Sequence, residues 1–173
     1  MKLTITSKLI GAYNFINCCA AIIVGKYFNV PLAQIKNGIE SYVPSNNRSQ
    51  IIEKNGYQII LDAYNANPSS MQVALENFNN LKAKHKIVFL GDMFELGDSA
   101  KIEHQEIADL ATAMNFNSTF LIGENFFATN TNEKLFETFE DLSTYLKNTK
   151  LEKSSILIKG SRGMALERIL ELL

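Results

Sequence analysis

The run Asp62-Ala63-Tyr64-Asn65-Ala66-Asn67-Pro68 comes closest, by residue type and spacing, to a ligand-handling loop. Asp62 closes an apolar stretch, where a carboxylate could accept two hydrogen bonds from a ribose diol. Tyr64 offers a flat stacking face, and Asn65 and Asn67 bring amides that both donate and accept. Pro68 stiffens the approach to a helix whose N-terminus favours anions. An Asx-rich turn capping that helix accounts for the same residues. A second run, Lys159-Gly160-Ser161-Arg162, opens the last helical pattern. Cations at a helix N-terminus oppose the macrodipole, which favours an anionic ligand there. Arg162 would hold it bidentately and Lys159 as a point charge. Arg48 could reach a phosphate or simply solvate a strand start. Asp92, Glu95 and His104 could cluster at one edge, or belong to a capped loop and helix. His85 stands alone, and no His/Cys/carboxylate spacing suggests a bound metal. The phosphate loop GxxxxGK[ST] is absent, as are GxGxxG and GxSxG.

These residues need a scaffold, and the pattern from Arg48 onwards supplies one. Ser49 to Lys54 and Tyr57 to Asp62 read as strands joined by Asn55-Gly56, a dipeptide suited to a two-residue hairpin turn. Ser69 to Gln72 offers a capping box for a helix with Met71, Ala74, Leu75 and Phe78 on its apolar face. Lys86 to Leu90, Thr119 to Ile122 and Ser155 to Ile158 are apolar runs of the kind buried on both faces of a parallel sheet. Between and after them, helical spacing marks Ile107, Leu110, Ala111 and Met114, then roughly Glu133 to Leu146, then Met164, Leu166, Ile169, Leu170 and Leu173. The alternation predicts an α/β fold, a Rossmann-like, doubly wound, mostly parallel sheet with a β-hairpin at its start. Ligands would then sit beyond the carboxyl ends of the strands, where Asp62, Gly91-Asp92, Gly123-Glu124 and Lys159 all fall. Gly123-Glu124 reads best as a solvated turn.

Residues 1–44 differ in character. A short strand (Leu3 to Thr6) is followed by a helix from about Asn14 to Phe28, apolar on most sides. Asn29 caps near the break and Pro31 opens a second helix reaching about Tyr42. Val43 to Asn47 reads as a linker. Two helices and a strand make a poor core, so residues 1–44 are expected to belong to a preceding domain, with 45–173 a domain of its own.

The chain of 173 residues is 46% apolar and 20% charged, with a net charge of −1. This balance fits a globular protein and gives no electrostatic footprint for nucleic acid or an anionic membrane surface. No apolar stretch is long enough for a bilayer, and the N-terminus lacks the form of a signal peptide. The adjacent Cys18 and Cys19 suit a reducing compartment, so a cytoplasmic location is expected.

Several segments, taken in order, resemble the Mur ligases. They are Gly11-Ala12-Tyr13-Asn14-Phe15-Ile16-Asn17 with Ala20-Ala21, then Asn46-Asn47-Arg48, then Asp62 to Met71. Leu90 to Gly97 with His104 follows, and Lys159 to Met164 completes the set. The resemblance implies an ATP-dependent ligase. The YNANP and GDMxELG runs point to the branch that joins D-alanyl-D-alanine to UDP-N-acetylmuramoyl-tripeptide, rather than to the folylpolyglutamate or cyanophycin type. In that chemistry ATP phosphorylates the tripeptide carboxylate, the dipeptide amine attacks the acyl phosphate, and phosphate leaves. Carried over by motif, Asn14 and Asn17 line the adenine side, Arg48 meets phosphate or ribose, and Asp62 holds the ribose beside Tyr64 and Asn65. Asn67, Ser70, Lys159, Ser161 and Arg162 face the acceptor or the acyl phosphate. Tyr13 departs from the family's usual histidine. The UDP-binding domain and the central phosphate loop with its Mg2+ ligands are not in this sequence. The chain is therefore expected to be a C-terminal part, inactive alone, with residues 1–44 the tail of the central ATPase domain. The alternative is a non-enzymatic nucleotide- or peptide-binding module.

Overall fold

The computed structural model describes residues 3–9, 11 and 13–173, leaving aside the side chain of Tyr13, so the departure at that position lies outside the described residues. The chain divides into two compact units, Met1–Ser45 and Asn46–Leu173.

In the first unit, helices α1 (Tyr13–Tyr27) and α2 (Leu32–Ser41) pack together. Asn29 ends α1 in the left-handed conformation (φ 57°), with Asn29 N–H donating to Lys26 O and Val30 N–H to Gly25 O. That pair of bonds is the Schellman arrangement, which satisfies the last carbonyls of a helix. Residues 3–9 carry no strand, contrary to the pattern at Leu3 to Thr6. Side chains tether them instead: Glu40 accepts from Thr6 N–H at 2.9 Å, and Lys36 donates to Thr4 O at 2.6 Å. The Lys36 ammonium, and then the Thr6 amide, hold the Glu40 carboxyl below its usual range. Among the described residues of this unit only Asn14, Ile35 and Pro44 are buried. Phe15, Ile16, Ile23, Val24, Tyr27 and Phe28 of the α1 region lie exposed.

The second unit is built on a six-stranded sheet of order β1-β2-β6-β3-β4-β5. β1 (Gln50–Lys54) and β2 (Tyr57–Asp62) are antiparallel, joined at Asn55 and Gly56, both at positive φ (51° and 85°) as a type I′ turn requires. The other pairings, among β2, β3 (Lys86–Gly91), β4 (Ser118–Ile122), β5 (Lys134–Phe136) and β6 (Ser155–Lys159), are parallel. The last strand therefore enters the middle of the sheet, between β2 and β3. One face carries Ile59, Leu61, Ile87, Phe89, Phe120, Ile122, Ile156 and Ile158 against Leu142 and Leu146 of α6 (Phe139–Asn148) and against Leu166 and Ile169. Strand alternation turns Ile60, Val88, Leu90, Leu121 and Leu157 to the opposite side. There α3 (Pro68–Asn79) buries Met71, Leu75 and Phe78, and α4 (Ala100–Ala113) buries Ile107, Ala108 and Ala111.

Three further elements of this unit differ from the sequence expectation. The helical pattern from Glu133 to Leu146 resolves into the edge strand β5 and then α6. Thr138 caps α6 through Asp141 N–H, and Asp141 answers by accepting from Thr138 N–H. α3 is capped by Asn67 and Ser70 rather than by Ser69 and Gln72: Asn67 Oδ1 accepts from Ser70 N–H at 2.9 Å and Ser70 Oγ from Asn67 N–H at 3.1 Å. Pro68 takes the first helical position, where its missing N–H costs nothing. The C-terminal segment is two 3-10 turns, Arg162–Met164 and Leu166–Leu172, broken by Ala165 in the left-handed region (φ 47°). Leu166, Ile169 and Leu172 recur every third residue, which lines up one face at three residues per turn.

Candidate functional site

The carboxyl ends of β2, β6, β3 and β4 lie side by side, and the chain reverses its direction of winding there. In an open α/β sheet this is where ligands bind. The sequence-selected loops all reach this edge, and the structure sorts them into two groups.

Around β2 and β6 the central fact is an ion pair. Asp62 and Lys159 are register partners at the ends of adjacent parallel strands. Lys159 Nζ lies 2.7 Å from Asp62 Oδ2, with the lysine side chain 2% exposed and the aspartate 20% exposed. Lys159 also donates to Asn65 O at 3.2 Å, and Asp62 Oδ1 accepts from Ser49 N–H at 3.0 Å. Arg48 extends from a bend in which Asn47 and Ser49 both have positive φ, and its guanidinium carbon stands 4.0 Å from the centroid of the Tyr64 ring. Arg48, Tyr64 and Asn65 are exposed. The pair of Arg48 and Tyr64 is a flat, cationic platform beside a carboxylate that keeps an open side, which fits a base or sugar with a phosphate. Asn65 Oδ1 accepts from Ala66 N–H at 2.9 Å, and Asn67 and Ser70 are engaged in the α3 cap.

Around β3, β4 and β6 the motif residues knit the loops together. Asp92, 3% exposed, caps the short helix α5 (Glu124–Phe127): Oδ1 accepts from Phe126 N–H at 2.9 Å, and Oδ2 from the backbone and side-chain N–H groups of Asn125. Gly123 is required beside it, because a Cβ there would stand 2.3 Å from Asp92 Cγ and φ is 122°. Gly123-Glu124 is thus a tight helix start, not a solvated turn. His104 is fully buried. Its Nε2 accepts from Met93 N–H at 3.0 Å and its Nδ1 lies 2.6 Å from Ala100 O, which fixes the neutral Nδ1–H tautomer. The 3.6 Å approach of Nε2 to Asp92 is therefore a contact between two acceptors, not an ion pair. Ser161, 3% exposed, accepts from Phe94 N–H at 2.9 Å through its hydroxyl. Glu95 is exposed, and among the described residues it belongs to no group of His, Cys, Asp or Glu placed to hold a metal ion. Arg162 is 58% exposed and paired with Glu167 at 2.7 Å.

The cations of the Lys159-Gly160-Ser161-Arg162 run thus face carboxylates of the chain itself, which removes the need for an outside anion that the helix-dipole argument raised. The pairing of Lys159 with Asp62 is the feature the sequence did not disclose. Its signal, an acidic and a basic residue each ending an apolar strand, becomes visible only when those strands are known to be neighbours. Asn14 and Asn17 belong to the first unit, where Asn17 Nδ2 donates to Asn14 Oδ1 at 3.1 Å. Among the described residues no group of three or more His, Cys, Asp or Glu is placed to hold a metal ion, and no helix is long and apolar enough to cross a membrane.

Fold and site together define a doubly wound α/β domain with a polar edge at its switch point. Residues 47–170 match the family described as Mur ligase, glutamate ligase domain, and the chain belongs to that family. It is 35% identical to UDP-N-acetylmuramoyl-tripeptide--D-alanyl-D-alanine ligase of Buchnera aphidicola subsp. Baizongia pistaciae over 98% of its own length and 38% of the relative's. The crystal structure of MurF from Acinetobacter baumannii superposes with a TM-score of 0.83 at 27% identity, covering 96% of this chain and 39% of that one. MurF ligase from Thermotoga maritima, solved in complex with ADP, shares the fold at a TM-score of 0.78 and 21% identity. The chain thus spans about two-fifths of each of these three relatives, 38% to 39% of their lengths.

Proposed function

We propose that the chain is the C-terminal part of an ATP-dependent ligase that adds D-alanyl-D-alanine to UDP-N-acetylmuramoyl-tripeptide through an acyl phosphate, in the cytoplasm. Residues 45–173 form its C-terminal domain, and residues 1–44 are the end of its central ATPase domain. The observation that carries this reading is the exposed Arg48–Tyr64 platform beside the Asp62 carboxylate, which is 20% exposed. It lies within a region aligned, over 98% of the chain, with a ligase of that name.

In this reading Asp62 accepts from the ribose hydroxyls, Tyr64 and Asn65 flank the nucleotide, and Arg48 neutralises phosphate charge. Asn14 and Asn17 keep the adenine-side role that the motif gives them. Arg162, the exposed cation of the last loop, and Asn67 take the acceptor or the acyl phosphate. Ser70 and Ser161 act by holding their loops, since the hydroxyl of each already accepts a backbone N–H. Mg2+ would be bound by the remainder of the ligase and would screen the phosphates during transfer.

The test is ATP-dependent phosphate release by the full-length protein with UDP-N-acetylmuramoyl-tripeptide and D-alanyl-D-alanine. Release that does not depend on the dipeptide refutes the reading. The 173-residue chain alone should bind ATP more weakly than about 1 mM, because roughly 4 kcal/mol is all that a few exposed contacts provide. Micromolar binding by calorimetry would favour a free-standing nucleotide-binding module.

A further inference from the structure

Lys159 belongs to the run that the family motif assigns to the acceptor, yet its surroundings describe another task. An ammonium has three donors. In Lys159, at 2% exposure, one goes to Asp62 Oδ2 at 2.7 Å and one to Asn65 O at 3.2 Å. These acceptors flank Ala63 and Tyr64, so one buried cation fixes the direction of the carboxylate and also the backbone that carries the Tyr64 ring beneath Arg48. The lysine itself has little freedom. Gly160 follows it with backbone so close to Gly91 that a Cβ would stand 3.1 Å from Gly91 Cα, and Ser161 then accepts from Phe94 N–H. At 2% exposure, Lys159 presents almost no surface to an acceptor dipeptide or an acyl phosphate. Arg162, 58% exposed, is the member of the run that solvent and a ligand can reach, although its guanidinium also pairs with Glu167 at 2.7 Å.

We infer that Lys159 is a positioning residue for the nucleotide side of the site, acting through Asp62 and the Asn65 carbonyl, and not a ligand of the acceptor. This rests on the nucleotide role proposed for Asp62. The chemistry is recognition of a ribose diol by a carboxylate held in one orientation.

The test is Lys159→Met in the full-length protein, alone and combined with Asp62→Asn. Methionine fills the lysine stem without its charge. Alone, Lys159→Met raises the KM for ATP about tenfold, the effect of losing one charged hydrogen bond's worth of orientation. The KM for D-alanyl-D-alanine moves by less than about twofold, within the scatter of independent sites. In the Asp62→Asn background the further rise in the ATP KM is also less than about twofold, because the group through which Lys159 acts has changed. A raised dipeptide KM, effects that multiply, or a lower melting temperature with both KM values unmoved overturns the inference. Absence of any dipeptide-dependent turnover in the unmutated protein instead refutes the ligase reading. Positioning is then read in the amide spectrum of the 173-residue chain: Lys159→Met displaces the Ser49 and Ala66 resonances, and unchanged resonances overturn the inference.

Discussion

Replacing Asp62 with alanine removes the carboxylate that faces the Lys159 ammonium at 2.7 Å, and with it the acceptor of the Ser49 N–H at 3.0 Å. As a residue on an exposed strand end, Asp62 would be expected to tolerate this with little loss of stability. Its partner changes the expectation. Lys159 is 2% exposed, and after the substitution Asn65 O at 3.2 Å is the acceptor left facing its charge among the bonds described. Breaking a buried pair from one side costs about 3–5 kcal/mol, and the 20% exposure of Asp62, which lets water approach, places this case near 3 kcal/mol. For a domain of this size that lowers the melting temperature by roughly 10 °C. Lys159→Met should cost less, about 1 kcal/mol, because the carboxylate left behind reaches water and keeps the Ser49 N–H. The double variant should recover most of the difference, since it strands no charge. Urea unfolding of the 173-residue chain, followed by circular dichroism at the helix band, measures all three. The reasoning is refuted if Asp62→Ala lies within about 1 kcal/mol of the parent, or if Lys159→Met is the more damaging single change.

The remaining predictions concern the loops around this pair and, separately, the first unit. Gly123→Ala forces a Cβ to within 2.3 Å of Asp92 Cγ at a φ of 122°, so the melting temperature should fall sharply. Gly38→Ala in α2, which meets nothing within 4 Å, should raise stability by up to about 1 kcal/mol in the same measurement. His104→Ala leaves the Met93 N–H buried without an acceptor and should cost about 2–3 kcal/mol, with His104→Gln recovering part of it in urea unfolding. Asn67→Ala removes the α3 cap and should cost about 1 kcal/mol, most of which Asn67→Asp retains. The carboxyl of Glu40 sits below its usual range in the folded chain. Its tether of residues 4–6 is thus complete at neutral pH and should loosen only as pH falls through the lowered value, seen as a shift of the Thr6 amide resonance in an acid titration.

Much of the frame was legible in the sequence, because its determinants are local. The Asn55-Gly56 turn, the buried strand runs and the strand-end placement of Asp62 and Lys159 each follow from a few consecutive residues. Local signals failed where two readings fit the same spacing. Asn67 and Ser69 both offer a cap with a partner three residues on; Asn67 prevails because Pro68 takes the first helical position. Leu166, Ile169 and Leu172 suit three residues per turn as well as 3.6, and Ala165 in the left-handed region decides for the tighter helix. The pairings across the sheet were beyond local reading. Asp62 meets Lys159 from 97 positions away only because the last strand enters the middle of the sheet.

That insertion also explains why the motif residues of this edge divide as they do. A strand arriving last between β2 and β3 brings a loop that must be fastened on both sides. Lys159 fastens it to the β2 loop, and Ser161 fastens it to the β3 loop through Phe94 N–H. Asp92 and His104 do the same for the β3 loop against α5 and α4. Buried members of the motifs therefore set geometry, and in the proposed reading direct contact with ligand falls to the members left exposed: Arg48, Tyr64, Asn65, Asn67 and Arg162. Asp62 belongs to both groups, as does Asn67, which also caps α3. The two oxygens of Asp62 are held by Ser49 N–H and Lys159, and the carboxylate remains 20% exposed, so in the proposed reading a change at Asp62 should lower stability and nucleotide affinity together. A change at Arg48 or Tyr64 should lower affinity with stability intact.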